Sequence, residues 1–301
     1  MHATLRQLQL FTALAEHGTV SAAARACHVT QPTVSMQLKD LAAAVGLPLY
    51  ERIGARLHLT AAGDDLLRTA RAMLGEWEAF AQQIDATRGL TRGRLRVALV
   101  STAKYFVPRM LGRFCRAHPD IDIALEVHNR DGVIARMRDN RDDLYVMSVP
   151  PADMDVERHA FLPNPLVVIA PSGHALCGAR AIPLARLGAE RLILRERGSG
   201  TRLACDAHFA AAGFVPRISL EIGSNEAIKE AVAAELGIAV ISQHALRAHG
   251  GASRLAVLPV AGFPLHSNWS IVYRRGKRLS PIAAAFLAEL RKPPSRARGT
   301  A

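Results

Sequence analysis

Three segments of the sequence place hydroxyl, amide and basic side chains where a strand is expected to pass into a helix. They are VSTAKYF at 100–106, RERGSGTRL at 195–203 and IGSNEAIKEAV at 222–232. Hydroxyls and free backbone N–H groups at helix N-termini bind anions, and nearby arginine or lysine strengthens such a site. For each loop alone, ordinary helix capping is the alternative. The candidate anion-binding residues are Ser101, Thr102, Lys104, Arg130, Arg195, Thr201, Arg202, Ser224, Asn225 and Lys229.

A second polar group lies near the N-terminus, in TQPTVSMQLK at 30–39. Uncharged amide and hydroxyl groups suit the base edges of the major groove. The next segment, LYERIGARLHLT, is typical of two short strands around Gly54, and its arginines suit DNA phosphates. The alternative is an ordinary three-helix core with solvated polar faces. The candidate DNA-binding residues are Gln31, Pro32, Thr33, Ser35, Met36, Lys39, Arg52 and Arg56.

Three short helices are predicted to position that group. Apolar residues at helical spacing indicate a first helix that Gly18 ends, and Ser21 is the expected N-cap of a second, alanine-rich helix. Thr30 is expected to cap the third helix, with Pro32 in its first turn. A short turn between two small helices, the second exposing polar residues, is the layout of a helix-turn-helix.

Thr60 is expected to cap a long helix with an apolar seam. The spacing of the seam alternates between four and three residues, which is a heptad pattern and predicts a partner helix, from a second chain or from the same one. A self-pairing helix at this point would give a dimer that reads two half-sites. The seam consists of Leu66, Ala70, Met73, Trp77, Phe80 and Ile84.

From Arg94 onward, short β-rich runs alternate with helical stretches, which predicts α/β structure with largely parallel sheets in two similar lobes. We therefore expect a winged helix-turn-helix at 1–60, a linker (dimerisation) helix and hinge at 61–91, a two-lobed α/β domain at 92–290 and a basic disordered tail at 291–301. Within the α/β domain, lobe I is expected at about 92–165 and 266–290, and lobe II at about 166–265.

Composition limits the classes of function. The formal net charge is +12, mostly from the C-terminal two-thirds, which points to anionic partners. No apolar run is long enough for a membrane span, and the four widely spaced cysteines favour a reducing cytoplasm over a disulfide or zinc framework. Neither a nucleophile elbow nor a phosphate-binding glycine loop is present, so no enzyme activity, metal or cofactor is expected.

Residues 4–63 resemble the DNA-binding half of LysR-type transcriptional regulators. The similarity rests on the paired alanines, on TQPTVSMQLKDL, and on LYER followed by LTAAG. It continues through the linker to about residue 290. The resemblance implies an α/β protein with an N-terminal, all-α-type winged helix-turn-helix and an effector domain resembling two-lobed periplasmic binding proteins. It also implies a homotetramer built as a dimer of dimers.

Within the family, four segments are most similar to the branch that regulates carbon-fixation (RuBisCO) operons: STAKYFVPRML, NPLVVIAP, GSNEAIKEAV and RLSPIAAAFL. That branch responds to anionic, typically phosphorylated metabolites. The chain departs from common family patterns at Met36, at Arg197 and at MSVPP (147–151). Expected partners are double-stranded promoter DNA, a small anionic effector and further copies of the chain, with RNA polymerase as a further candidate and no membrane. The alternatives are a LysR-type regulator of another operon with a different inducer, or a solute-binding or enzymatic α/β protein.

Overall fold

The computed structural model describes residues 2–53, 56–87, 93–247 and 254–291. The chain forms two compact units. One contains residues 1–90 with two short later segments, 138–141 and 278–281, and the other contains the rest. The predicted turn at Gly54, most of the hinge and nearly all of the basic tail lie outside the described residues. Among the described helices, none is long and apolar enough to cross a membrane.

The N-terminal unit has three short helices, a two-stranded wing and a long helix. Leu8, Phe11, Leu38 and Leu41 are central to its core. Strands β1 and β2 pair antiparallel. The elements are α1 (Leu5–His17), α2 (Val20–Ala26), α3 (Gln31–Val45), β1 (Tyr50–Ile53), β2 (Arg56–Leu59) and α4 (Ala61–Thr87).

Two of the predicted helix caps, at Gly18 and Thr30, are present in the structure, and a third is not. Gly18 ends α1 with a left-handed φ of +69°, and Thr30 Oγ1 accepts a hydrogen bond from the Thr33 N–H at 3.4 Å. The prediction that Ser21 caps α2 was wrong, because Val20 is already helical. Thr19 has the extended backbone of an N-cap, and its hydroxyl accepts from the Ala22 N–H at 3.2 Å.

Gly63, near the start of α4, packs so closely on the residue before the wing that any larger residue would require a shift of the backbone. A Cβ at Gly63 would collide with the Leu49 carbonyl oxygen. That carbonyl accepts the Thr60 N–H at 3.2 Å, and Thr60 Oγ1 accepts the Gly63 N–H at 3.1 Å. The LTAAG motif therefore places a cap and a close backbone approach at one junction.

The apolar seam of α4 has two parts. Leu66 and Ala70 pack on the core of the three-helix head. Further along, Met73, Trp77 and Phe80 are each about half exposed, at 49%, 55% and 53%. The first part of the heptad pattern is thus satisfied within the chain, whereas the second part leaves an apolar surface open.

The second unit contains two five-stranded sheets. The first sheet has the order β4-β3-β5-β12-β6, and β5 at its centre is fully buried. Its strands are β3 (Gly93–Val100), β4 (Ile121–His128), β5 (Leu144–Met147), β6 (Val156–Pro163) and β12 (Asn268–Arg274). A 3-10 helix (Ser101–Tyr105) follows β3, and three helices flank this part of the chain: α5 (Val107–Ala117), α6 (Arg130–Arg138) and α10 (Pro281–Leu290).

The second sheet has the order β11-β7-β10-β8-β9. Strands β7, β8 and β10 are buried throughout, as their continuous apolar sequences require. The strands are β7 (Leu166–Pro171), β8 (Leu192–Arg195), β9 (Ile218–Ile222), β10 (Ile238–Ser242) and β11 (Leu255–Leu258), and the helices are α7 (Gly200–Ala211), α8 (Asn225–Ala233) and α9 (Gln243–Arg247).

The expectation of largely parallel sheets was wrong, because both sheets are mixed. The chain passes between the sheets twice, from β6 to β7 and from β11 to β12. Strand β7 runs antiparallel to β10 and β11, and β12 runs antiparallel to β5 and β6. Strands β7 and β12, each the first strand after the chain crosses to the other sheet, are therefore antiparallel to both of their neighbours.

Candidate functional site

A cavity lies between the two sheets of the second unit. Including its open mouth, it encloses about 300 Å³. Its walls come from the ends of β3, β5 and β8, from the starts of α6 and α7, and from β12. The lining residues are Val100, Ser101, Thr102, Asn129, Arg130, Met147, Ser148, Val149, Arg195, Ser199, Gly200, Thr201 and Trp269.

The N-terminus of α7 forms one wall. Ser199 is the N-cap with extended backbone, and its side chain makes no capping hydrogen bond. The first N–H groups of a helix have no partner within the helix, so they are available to an anion. Thr201 is 8% exposed and adds a hydroxyl beside them. At Gly200, a Cβ would lie 3.3 Å from Ser148 Oγ, so the glycine permits close packing of the two walls.

Arg195 reaches the cavity with its charge already paired. Its side chain is 2% exposed and contacts Glu196 through Nε at 2.7 Å and Nη2 at 2.9 Å. Nη1 donates to Asn225 Oδ1 at 3.0 Å, and Nη2 donates to Ser101 Oγ at 3.1 Å. Arg195 therefore organises the wall more than it adds charge to it.

Arg130 lies at the start of α6 and has mainly neutral partners. Nε donates to the Val149 carbonyl at 2.7 Å, and Nη2 donates to the Pro150 carbonyl at 3.3 Å. Its contact with the exposed carboxylate of Asp131 is longer, at 3.5 Å. The carbonyls fix the guanidinium without cancelling its charge, so Arg130 provides the positive field at the cavity.

Five of the predicted anion-binding residues do not line this cavity. Arg202 pairs with Asp206 and Glu221, Lys229 donates to the Ala245 carbonyl, and Lys104 pairs with Glu226 at 3.0 Å. Most of the expected positive ring is therefore neutralised within the chain. The remaining two are Ser224, which caps α8, and Asn225, which bridges Arg195 and Thr102.

Sequence reasoning missed several lining residues, of which Trp269 is the largest. It lies on β12, is 1% exposed, and packs against Phe106 with ring centroids 5.3 Å apart. Its Nε1 makes no hydrogen bond to any described part of the chain. Asn129 and Ser148 were also missed. Both follow strands of the first sheet, as Ser101 does, and that shared position was the available signal.

Helix α3 carries the predicted DNA-binding group on its exposed side. Val34 and Leu38 are buried, whereas Gln31 and Ser35, one turn apart, are exposed. Gln31 Oε1 accepts from Ser21 Oγ at 3.0 Å, which orients the amide. Other exposed members are Pro32, Met36, Lys39 and, on β1, Arg52, and Thr33 is half-buried. Arg56 pairs through its backbone with Ile53, and its side chain lies outside the described part of the structure.

Comparison with known proteins adds direct evidence of family. The bacterial regulatory helix-turn-helix protein, lysR family, matches residues 5–64, and the LysR substrate binding domain matches 88–293. A RuBisCO operon transcriptional regulator of Acidithiobacillus ferrooxidans is 46% identical over 289 residues, which are 96% of this chain and 94% of that relative.

Two solved structures are similar. The regulatory domain of Synechocystis PCC6803 CcmR, in complex with 2-PG, is 46% identical with a TM-score of 0.65, covering 66% of this chain and 96% of that one. Full-length CbnR complexed with its target DNA is 26% identical with a TM-score of 0.67, covering 96% and 99%. The relatives are named as transcriptional regulators, which confirms the predicted class. The two family matches and the similar structures confirm the predicted fold. This chain belongs to the LysR family of DNA-binding transcriptional regulators.

Proposed function

We propose that this chain controls a carbon-fixation operon in the cytoplasm, and that a small phosphorylated anion modulates its binding to the promoter. Relatives named as RuBisCO operon regulators in two organisms are 46% and 43% identical over nearly the whole chain, which supports the choice of operon. The CcmR regulatory domain in complex with 2-PG (2-phosphoglycolate) supports the class of effector.

The observation that carries the proposal is the pairing of Arg130 with the N-terminus of α7 in one cavity. A guanidinium on neutral carbonyls and a row of helix N–H groups together suit a doubly charged phosphate. Ser101, Thr102 and Thr201 supply hydroxyls for its oxygens.

The remaining residues have supporting roles in this proposal. Arg195 and Asn225 orient the hydroxyls of the wall, and Arg202, Ser224 and Lys229 fix the helices behind it. Residues 1–60 bind DNA through α3 and the wing, residues 61–91 pair two chains, and residues 92–290 sense the effector. Pairing of two such dimers, as the family resemblance implies, places four DNA-binding heads on one promoter.

The test is calorimetric titration of the full chain with 2-phosphoglycolate, glycolate and inorganic phosphate. We expect 2-phosphoglycolate to bind best, and Thr201→Val to weaken it about tenfold, because the substitution removes one hydroxyl from a buried site. Thr69→Val, at an exposed position of α4, is the control. Equal binding by Thr201→Val, or no binding of any anion to the wild type, would refute the assignment of this cavity.

A further inference from the structure

The 3-10 helix Ser101–Tyr105, called here the bridge segment, belongs by sequence to the first sheet but bonds to the second. It continues directly from β3. Arg195 at the end of β8 donates to Ser101 Oγ at 3.1 Å, and Asn225 at the start of α8 donates to Thr102 Oγ1, also at 3.1 Å. The Tyr105 ring packs against the cluster that covers one face of the second sheet.

One carboxylate binds the C-terminal residues of the bridge segment, Lys104 and Tyr105. Tyr105 Oη donates to Glu226 Oε1 at 2.8 Å, and Lys104 Nζ lies 3.0 Å from the same oxygen. Ser224 Oγ donates to Oε2 at 2.9 Å. Two of these three donors come from the bridge segment, so Glu226 ties that segment to α8.

The charge of Glu226 is strongly stabilised by these contacts. Partial burial acts to raise the pKa of the carboxyl. Hydrogen bonds from Tyr105, from its own backbone N–H, from Lys104 and from Ser224 outweigh burial and lower the pKa to about 2. The carboxylate is therefore ionised over the whole physiological range.

The position of this contact relative to the cavity gives it a role. Ser101 and Thr102, at the start of the bridge segment, line the cavity, whereas Lys104 and Glu226 do not. The contacts of Glu226 therefore do not reach the cavity directly, and they act on a ligand there through the bridge segment and through its neighbour Asn225, which bonds Arg195 and Thr102. We infer that Glu226 is a positioning residue. By holding the bridge segment against α8, it sets the rate at which the cavity opens to admit or release a ligand.

The ligand part of this inference rests on the proposed function, but the contact itself can be tested without a ligand. Hydrogen–deuterium exchange of the full chain should be at least fivefold faster in Glu226→Gln than in the wild type for peptides 101–106 and 224–229. Tyr105→Phe removes one of the same bonds from the other side and should act in the same direction. Glu230→Gln, one turn further along α8 at an exposed ion pair with Arg254, is the matched control. Unchanged exchange in both test variants would overturn the inference.

The second measurement concerns rates of ligand exchange, by rapid filtration with radiolabelled 2-phosphoglycolate. Opening controlled by Glu226 predicts that Glu226→Gln raises association and dissociation rates together, each at least fivefold, with Kd changed less than threefold. Faster dissociation with unchanged association would mean that Glu226 merely supports the bound state, and would overturn the inference. If the wild type binds no 2-phosphoglycolate, the proposed effector is wrong, and hydrogen exchange alone decides the role of Glu226.

Discussion

Arginine side chains beside the same cavity differ in how much charge they offer. Arg195 is held by both carboxylate oxygens of Glu196, so its field at the cavity is largely cancelled. Arg130 is held mainly by carbonyl groups and keeps its charge. An anion entering the cavity should therefore depend on Arg130 for charge and on Arg195 for the shape of the wall.

Replacing Arg130 should therefore weaken the binding of the effector. A hydrogen bond to a charged group contributes about 1.5–3 kcal/mol, so we expect Arg130→Gln to weaken the binding of 2-phosphoglycolate by about 10- to 150-fold. Arg254→Gln, at an exposed pair with Glu230, should leave Kd unchanged. Calorimetry on the three proteins measures both effects, and equal Kd values for all three would show that Arg130 does not contact the ligand.

A separate prediction concerns Gln31, on the face of α3 that we expect to contact DNA. Its amide is exposed on the first turn of α3 and can bond adenine at two positions. Gln31→Ala should cost roughly 1–3 kcal/mol on a selected operator and reduce the preference for it over random DNA. Fluorescence anisotropy on operators selected from a random pool is the measurement. Lys39→Ala should instead weaken binding to both DNAs by the same factor and reduce the salt dependence of the binding constant, as the loss of a phosphate contact does.

Helix α4 shows why a heptad pattern does not by itself identify the partner of a helix. Leu66 and Ala70 are used within the chain, whereas Met73, Trp77 and Phe80 remain exposed. The ring centroids of Trp77 and Phe80 are 5.8 Å apart, so the exposed part is a continuous apolar surface. A second copy of α4 would cover it with the same residues, as two-fold pairing requires.

Charges in that surface should separate the chains. Met73→Asp combined with Phe80→Asp would bury unpaired carboxylates in the pairing surface, so we expect the dimer to dissociate and operator affinity to fall with it. Sedimentation velocity gives the oligomeric state. Ala72→Asp adds a carboxylate at an exposed position off the seam and should leave the oligomer intact. A double variant that sediments as the wild type would rule out pairing through this seam.

The elements that sequence reasoning found and missed differ in burial. Strands such as β7 and β10, buried on both faces, have continuous apolar runs that are easy to recognise. Strand β6, VERHAFLP, was missed because it lies at the edge of its sheet and because Glu157, Arg158 and His159 interrupt its apolar residues. Strand β11, with four residues at the other sheet's edge, was missed as well. Strand direction could not be predicted because it depends on where the chain passes between sheets.

The sequence predicted which loops carry polar residues, but it did not predict which of their charges form pairs in the folded chain. Lys104 and Glu226 are 122 residues apart in sequence, and only the meeting of the two sheets brings them together. The same is true of Ser101 and Arg195, which are 94 residues apart. A sequence count therefore overstates the positive charge that a ligand would encounter.

The contact of Glu226 predicts a characteristic response to acid. Its pKa is about 2 in the folded chain against an ordinary value of 4.5. Because the folded value is the lower one, the carboxylate stabilises the fold above about pH 4.5, and that contribution is lost as the pH falls towards 2. The difference in urea midpoint between wild type and Glu226→Gln should be constant from pH 7 to 5 and shrink below pH 4.5. A difference that is independent of pH down to 3 would contradict this assignment.

The place of β12 has a consequence for the synthesis of the chain. It lies between β5 and β6, yet it is translated roughly 100 residues after β6, a delay of about 5–20 s at ordinary rates of elongation. Until Asn268–Arg274 leaves the ribosome, β5 and β6 present unpaired edges to other nascent chains. A ribosome that stalls or stops before Asn268 therefore releases a chain whose first sheet cannot close, and such a product is a natural substrate for chaperones and proteases.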